Sequence, residues 1–161
     1  MTIPAPLRLL RTTVGQEWID VNAHMNAQHY YSVIYQAHVL MTDYLALSGD
    51  YVSQRQLSKV VVESHNRFER ELRLGDPIEV RSWLLGVDTK RLHFFHEIWQ
   101  ADAGYRAGTG EQIDVHVDLR TRRSAAFPAE VLARLQAVAA AHRAVQPPAN
   151  SGALRLTPRS A

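Results

Sequence analysis

Asn26-Ala27-Gln28-His29-Tyr30-Tyr31-Ser32-Val33-Ile34-Tyr35-Gln36-Ala37-His38-Val39-Leu40-Met41-Thr42-Asp43-Tyr44-Leu45-Ala46-Leu47-Ser48 runs without a proline or a glycine. Its apolar residues, from Tyr30 and Tyr31 through Val33, Ile34, Tyr35, Val39, Leu40 and Met41 to Tyr44 and Leu45, fall on nearly every side of a 3.6-residue period. A helix that is apolar around most of its circumference has to be buried on most sides. Gly49 is a natural stop for it. One long buried helix is therefore the element around which the rest must be arranged.

On the C-terminal side of that helix, a short connector (50–58) leads into a period of two. Val60, Val62, Ser64, Asn66 and Phe68 alternate with Val61, Glu63, His65 and Arg67. Leu74-Gly75-Asp76-Pro77 reads as a turn. Ile78 to Val87 alternates again, and Asp88-Thr89-Lys90 makes a tight connection. Leu92, Phe94, His96 and Ile98 then alternate with His93, Phe95, Glu97 and Trp99. After a turn at 101–104, Ile113, Val115, Val117 and Leu119 oppose Gln112, Asp114, His116 and Asp118. Four strands in series joined by short turns predict an antiparallel meander. Leu7 to Val14 supplies a first strand before the helix. Pro128 opens a short C-terminal helix with Val131, Leu132, Leu135, Val138 and Ala139 on one face. The fold class expected is α+β, an antiparallel sheet wrapped around one long buried helix: the hotdog arrangement. One domain over 1–145 and a flexible tail over 146–161 are expected, and the need to cover a sheet edge predicts a homodimer or a dimer of dimers.

With 161 residues, a single domain can bury about 70 % of its unfolded surface. A composition of 46 % hydrophobic and 21 % charged residues is that of a soluble globular protein. No apolar run approaches the roughly 18 residues of a membrane helix, and the first residues lack the pattern of a signal peptide. A cytoplasmic location and no membrane partner are expected. The absence of cysteine removes disulfides, thiolate metal sites and cysteine nucleophiles. The stretch from Arg120 onward holds Arg120, Arg122, Arg123, Arg134, Arg143, Arg155 and Arg159 against Glu130 alone. These arginines are not interleaved with aromatics, so nucleic acid is not expected as a partner.

The chemistry concentrates in Asp20-Val21-Asn22-Ala23-His24-Met25-Asn26, just ahead of the helix. The first turn of a helix leaves backbone N–H groups unpaired, with partial positive charge, and such donors can hold a carbonyl oxygen as it becomes an oxyanion. A nearby carboxylate could attack that carbonyl or deprotonate the water that does. A purely structural alternative is that Asn22 or Asn26 caps the helix while Asp20 sits in a turn. No Walker loop, G-x-G-x-x-G or G-x-S-x-G element is present. His93 and His96 project to opposite faces of a strand and do not share a metal, and His96 reads as a core residue beside Phe94 and Ile98; no metal is expected.

This segment resembles the D-x-N-G-H-M-N element of acyl-CoA thioesterases in the 4-hydroxybenzoyl-CoA thioesterase-like hotdog group. It is similar also to the D-x-N-x-H element of plant acyl-ACP thioesterases. The match continues through Tyr30-Tyr31 and Phe68–Val80 and covers about residues 12–142. The resemblance implies that Asp20 is the acidic nucleophile or general base. By the same likeness, Asn22 and His24 position it, the Ala27 N–H is the oxyanion donor, and Glu63 is an alternative acid from the following strand. Ala23 replaces the family's glycine; if that position needs φ > 0, an alanine costs about 1 kcal/mol. Lys90, Arg91, Arg120 and Arg122, with Arg123, are candidates for the coenzyme A phosphates. Coenzyme A is then part of the substrate, and no separate cofactor is implied.

Asp88–His96 and Glu111-Gln112 with His116-Val117-Asp118 also look like a narrower set, the betainyl-CoA thioesterases associated with carnitine dehydrogenase and so with carnitine metabolism. A quaternary ammonium would need aromatic faces or acids, for which Trp18, Tyr30, Tyr31 and Tyr35 are the candidates. The expected function is hydrolysis of a short, polar or cationic acyl-CoA. The alternatives are a non-catalytic acyl-CoA-binding hotdog protein and a hotdog hydratase or dehydratase.

Overall fold

The computed structural model describes residues 2–146 and 148–156. In chain order the elements are β1 (Leu7–Thr13), a single 3₁₀ turn (Gln16–Trp18), α1 (Ala27–Tyr44), α2 (Asp50–Arg55), β2 (Leu57–Phe68), β3 (Pro77–Val87), β4 (Arg91–Gln100), β5 (Tyr105–Asp118), β6 (Arg123–Ser124) and α3 (Ala129–Arg143). The sheet runs β1-β3-β4-β5-β2, all antiparallel, with β6 attached to β5. The α+β hotdog architecture holds, but the four-strand meander does not. Only β3-β4-β5 is a meander; β2 pairs with β5, Leu57 opposite Asp118 and Phe68 opposite Gly108. The chain reaches that far edge by crossing the concave face as α1. It returns through 69–76, pinned where the Glu69 and Arg70 N–H groups meet the Ala107 carbonyl and the Met25 N–H meets that of Leu72.

Two further expectations are corrected at α1. The helix ends at Tyr44, and Ala46 (φ 51) takes the left-handed stop ahead of Gly49. Nor is it buried on most sides: Tyr30, Val33, Ile34, Ala37, His38 and Met41 face the sheet, while Tyr31, Tyr35 and Val39 are 40, 50 and 42 % exposed. Those three are spaced four apart and form one stripe turned away from the sheet. In β2 the pairing shifts between Val61 and Glu63. This bulge lets Lys59, Val61, Ser64, Asn66 and Phe68 share the inner face, so Glu63 lies on the outer one and not beside Val61 in the alternation.

The core has two apolar clusters. One gathers Met25, Tyr30, Val33, Ile34, Leu72, Ile78, Val80 and Ile98 under the start of α1. The other joins the end of α1 (Met41, Leu45) to Leu84, Leu92 and Phe94 and to Val131, Leu135, Val138 and Ala139 of α3. A buried polar belt separates them. Lys59 Nζ donates to Asp114 Oδ2 (2.5 Å) and stands 2.7 Å from His38 Nε2. His38 continues to His96 (3.3 Å), and His96 to Ser82 Oγ (2.8 Å). The polar alternation of β5 is thus its inward face, the reverse of the usual hydrophobic-in pattern. Of residues 146–161, read as a tail, those described carry contacts. Glu111 accepts the Gly152 and Ala153 N–H groups (3.0 and 2.9 Å), and Arg106 donates to the Ala149 carbonyl.

Burial holds His38, His96, His116 and His142 below the usual imidazole range. In the unfolded chain each would take a proton as the pH falls through about 6.5, while in the fold each stays neutral further down. Folding stability is therefore complete above that pH and falls below it. The slope is up to about 1.4 kcal/mol per pH unit for each histidine that remains neutral. Urea midpoints at pH 7.5 and 5.5 should differ accordingly; equal midpoints would show that these rings accept protons without unfolding.

Candidate active site

The loop ahead of α1 is a closed hairpin. Ile19 bridges Met25, the Asp20 N–H donates to the His24 carbonyl (3.0 Å), and the Ala23 N–H donates to that of Asp20 (3.0 Å). The Asn26 N–H is held by Trp18 O (2.8 Å). Closing the turn puts Ala23 at φ 60, where a Cβ is strained. Ala23→Gly should therefore raise stability by about 1 kcal/mol, read as a higher urea midpoint; an unchanged or lower midpoint would show that the alanine is not strained.

Asn26 is the N-cap. Its Oδ1 accepts the Gln28 N–H (3.0 Å), and its Nδ2 donates to Asp20 Oδ2 (3.4 Å). The other Asp20 oxygen accepts the Asn22 N–H (2.8 Å), and His24 Nδ1 lies 3.8 Å away. The Asn22 backbone donor, followed after a smaller opposing effect of desolvation by the charge of His24, draws the Asp20 carboxyl below its ordinary range. Capping and the acidic site are thus one structure: the residue that caps the helix also orients the carboxylate at its positive end.

Beside this tip opens a cleft of about 300 Å³, lined by His24, Met25, Ala27, Tyr30, Phe68, Glu69, Arg70 and Glu71. Asp20 is not itself a wall and adjoins the cleft through His24, 3.8 Å away. The Ala27 N–H makes no hydrogen bond among the described residues and is open to an acceptor. Tyr30 donates its hydroxyl to the Arg70 carbonyl (2.9 Å), and burial pushes its pKa up to about 12, so its ring is a neutral wall.

Asp20, Asn22, His24 and Ala27 are therefore brought together; the other expected site residues are not. Glu63 is exposed on the outer face and borders a depression of about 370 Å³ with Lys90 and Arg91, so within the chain it does not join Asp20. Arg91 is paired with Asp88 (2.6 Å) and Arg120 with Asp118 (2.8 Å), whose carboxyl is held down to about 2. Arg122 borders a small depression with Val60 and Leu119. Gly108 of β5 lies at the Tyr30 end, whereas Arg91 pairs with Val115 and Arg120 follows Asp118, so these cations stand roughly 20–35 Å from Gly108 along the strand. Tyr31 and Tyr35 line a separate cavity of about 760 Å³ between α1 and β2, and Trp18 stacks on His29. Sequence reasoning missed Glu69, Arg70 and Glu71, because the return loop carries no period. It missed Lys59 and Asp114 because their partner His38 sits on another element.

A carboxylate fixed at the N-terminus of the central helix of a hotdog sheet, beside a cleft and an open N–H, is an arrangement that thioester hydrolysis can use. The chain belongs to the thioesterase-like superfamily, whose model matches residues 14–135. It is 36 % identical over 146 residues to the betainyl-CoA thioesterase of Pseudomonas aeruginosa, covering 91 % of this chain and 92 % of that one. It is 34 % identical to the L-carnitine dehydrogenase/betainyl-CoA thioesterase of Rhizobium meliloti, covering 91 % of this chain and 29 % of that longer protein. A hypothetical protein of Staphylococcus aureus, solved in complex with CoA, shares the fold with a TM-score of 0.80 at 24 % identity, covering 96 % of this chain and 98 % of that one.

Proposed function

We propose that this protein hydrolyses a short cationic acyl-CoA of the betainyl type to the free acid and coenzyme A. The observation that carries the reading is the Asp20 carboxylate tied by the N-cap Asn26 to the tip of α1, next to the open Ala27 N–H. In the proposed reaction the thioester oxygen accepts the Ala27 N–H, which stabilises the negative charge that develops there. Asp20 attacks the carbonyl carbon or takes a proton from the water that attacks; both routes require it ionised, and its lowered pKa ensures that. His24 and Asn22 hold the carboxylate. The C–S bond breaks with coenzyme A leaving as thiolate; on the route through Asp20 attack, water then hydrolyses the resulting acyl anhydride to the free acid and restores the carboxylate. Identity to the P. aeruginosa enzyme along nearly the whole of both chains supports the betainyl acyl group.

The working unit in this reading is a homodimer formed along β2. That edge exposes Val60 and Val62 (44 and 53 %), and the Tyr31–Tyr35–Val39 stripe lies beside it. A second copy pairing antiparallel along β2 would cover both. It would also carry the partner's Lys90, Arg91, Arg120 and Arg122 end toward Asp20, where the phosphates of a bound coenzyme A would lie. Thiol release measured over betainyl-, acetyl- and 4-hydroxybenzoyl-CoA tests the substrate. The highest kcat/KM should be for betainyl-CoA; equal or lower turnover of it than of the other two would remove the betainyl assignment.

A further inference from the structure

We propose that the cleft beside the helix tip is the recognition site for the trimethylammonium head of the acyl group, built from the rings of Tyr30 and Phe68 and the carboxylate of Glu71. This deepens the betainyl reading and rests on it. In a betainyl thioester one methylene separates the ammonium from the carbonyl, so the pocket for the cation must adjoin the oxyanion donor. Among the described residues the cleft meets that demand: Ala27 and His24 line it together with Tyr30, Phe68 and Glu71.

The walls suit a quaternary ammonium, which has no N–H to donate and is held by aromatic faces and negative charge. The Tyr30 and Phe68 rings stand at 87° with centroids 5.4 Å apart, forming a two-sided corner. The Tyr30 hydroxyl is already engaged with Arg70 O, and Phe68 remains 56 % exposed at the end of β2. The charged groups around the corner sort themselves by what they already hold. Glu69 is neutralised by Arg106 through two contacts (2.8 and 2.9 Å). Arg70 also lines the cleft, but its guanidinium is engaged over the Tyr105 ring, 3.9 Å from the ring centre. Among the described residues Glu71 has only loose neighbours, His24 Nε2 at 3.9 Å and Arg73 at 3.8 Å, and its side chain is 60 % exposed. It is the carboxylate with capacity left for a cation.

The test compares betainyl-CoA with 3,3-dimethylbutyryl-CoA, its uncharged isostere, in wild type, Glu71→Gln and Phe68→Leu. The ratio of the two kcat/KM values isolates recognition of charge from any disturbance of His24, which would act on both substrates. The proposal expects wild type to favour betainyl-CoA and each substitution to lower that ratio about fivefold. A wild-type preference that survives both substitutions unchanged would overturn this pocket and leave the betainyl assignment standing. Equal turnover of the two substrates by wild type would overturn both.

Discussion

Replacing Asp114 with alanine is expected to cost about 3–5 kcal/mol of folding stability, a large part of the roughly 5–15 kcal/mol that holds a domain of this size. Asp114 is fully buried on the inner face of β5. Burial alone would raise its pKa, but the His38 hydrogen bond and the Lys59 charge hold it below the ordinary carboxylate range. Lys59 is lowered as well, burial outweighing the pull of Asp114. Removing the carboxylate leaves an ammonium with an 8 % exposed side chain beside an imidazole that cannot neutralise it. Asp114 Oδ1 and the Gln112 side-chain amide have no hydrogen-bond partner among the described residues, so the belt is only partly satisfied even in the intact protein. Urea unfolding of wild type, Asp114→Ala and a Lys59→Met/Asp114→Leu pair distinguishes an ion pair from simple packing. The single variant should be severely destabilised, and the double variant should recover most of the loss. A single-variant cost near 1 kcal/mol would mean that the belt is no more than a set of tolerated polar residues.

The second large effect is chemical. Asp20→Asn should lower kcat/KM by about 10²–10⁴-fold with little change in stability. An asparagine keeps the shape of the side chain and can still accept the Asn22 N–H through its Oδ1. What it loses is the negative charge, the ability to attack or to take a proton, and the second oxygen that accepts Asn26 Nδ2 at 3.4 Å. The pH dependence separates two causes of acid inactivation. Because the Asp20 carboxyl is drawn below its usual range, its own protonation affects rate only in strong acid. The buried histidines withdraw stability already as the pH falls through about 6.5. Activity lost near pH 5 should therefore track unfolding and return when the protein is stabilised.

Much of the architecture was legible in the chain. The 3.6-residue run from Asn26 and the period of two in each later segment name the elements, and Pro128 marks the start of α3. Strand order was not legible, since alternation says how a strand faces and nothing about its neighbour; β2 looks like the first member of a meander and is in fact the far edge. The bulge after Val61 is equally silent in sequence, and it moved Glu63 to the outer face. The apolar stripe at Tyr31, Tyr35 and Val39 reads as core when every apolar residue is assumed to be buried within one chain. At the site, Asp20, Asn22, His24 and the helix start were readable because all lie within one short segment. The left-handed Ala23 was readable from the residue type the family uses there. The corner of Tyr30, Phe68 and Glu71 was not, because its parts come from α1, the end of β2 and a loop without periodicity.

Thiol release from betainyl-CoA by matched preparations of wild type and Asp20→Asn, both shown folded by urea titration at pH 7.5, tests the central claim most directly. The account predicts turnover by wild type and a loss of at least about 10²-fold in the variant. Comparable rates from the two proteins would contradict it, and the carboxylate at the tip of α1 would then be only part of the helix cap.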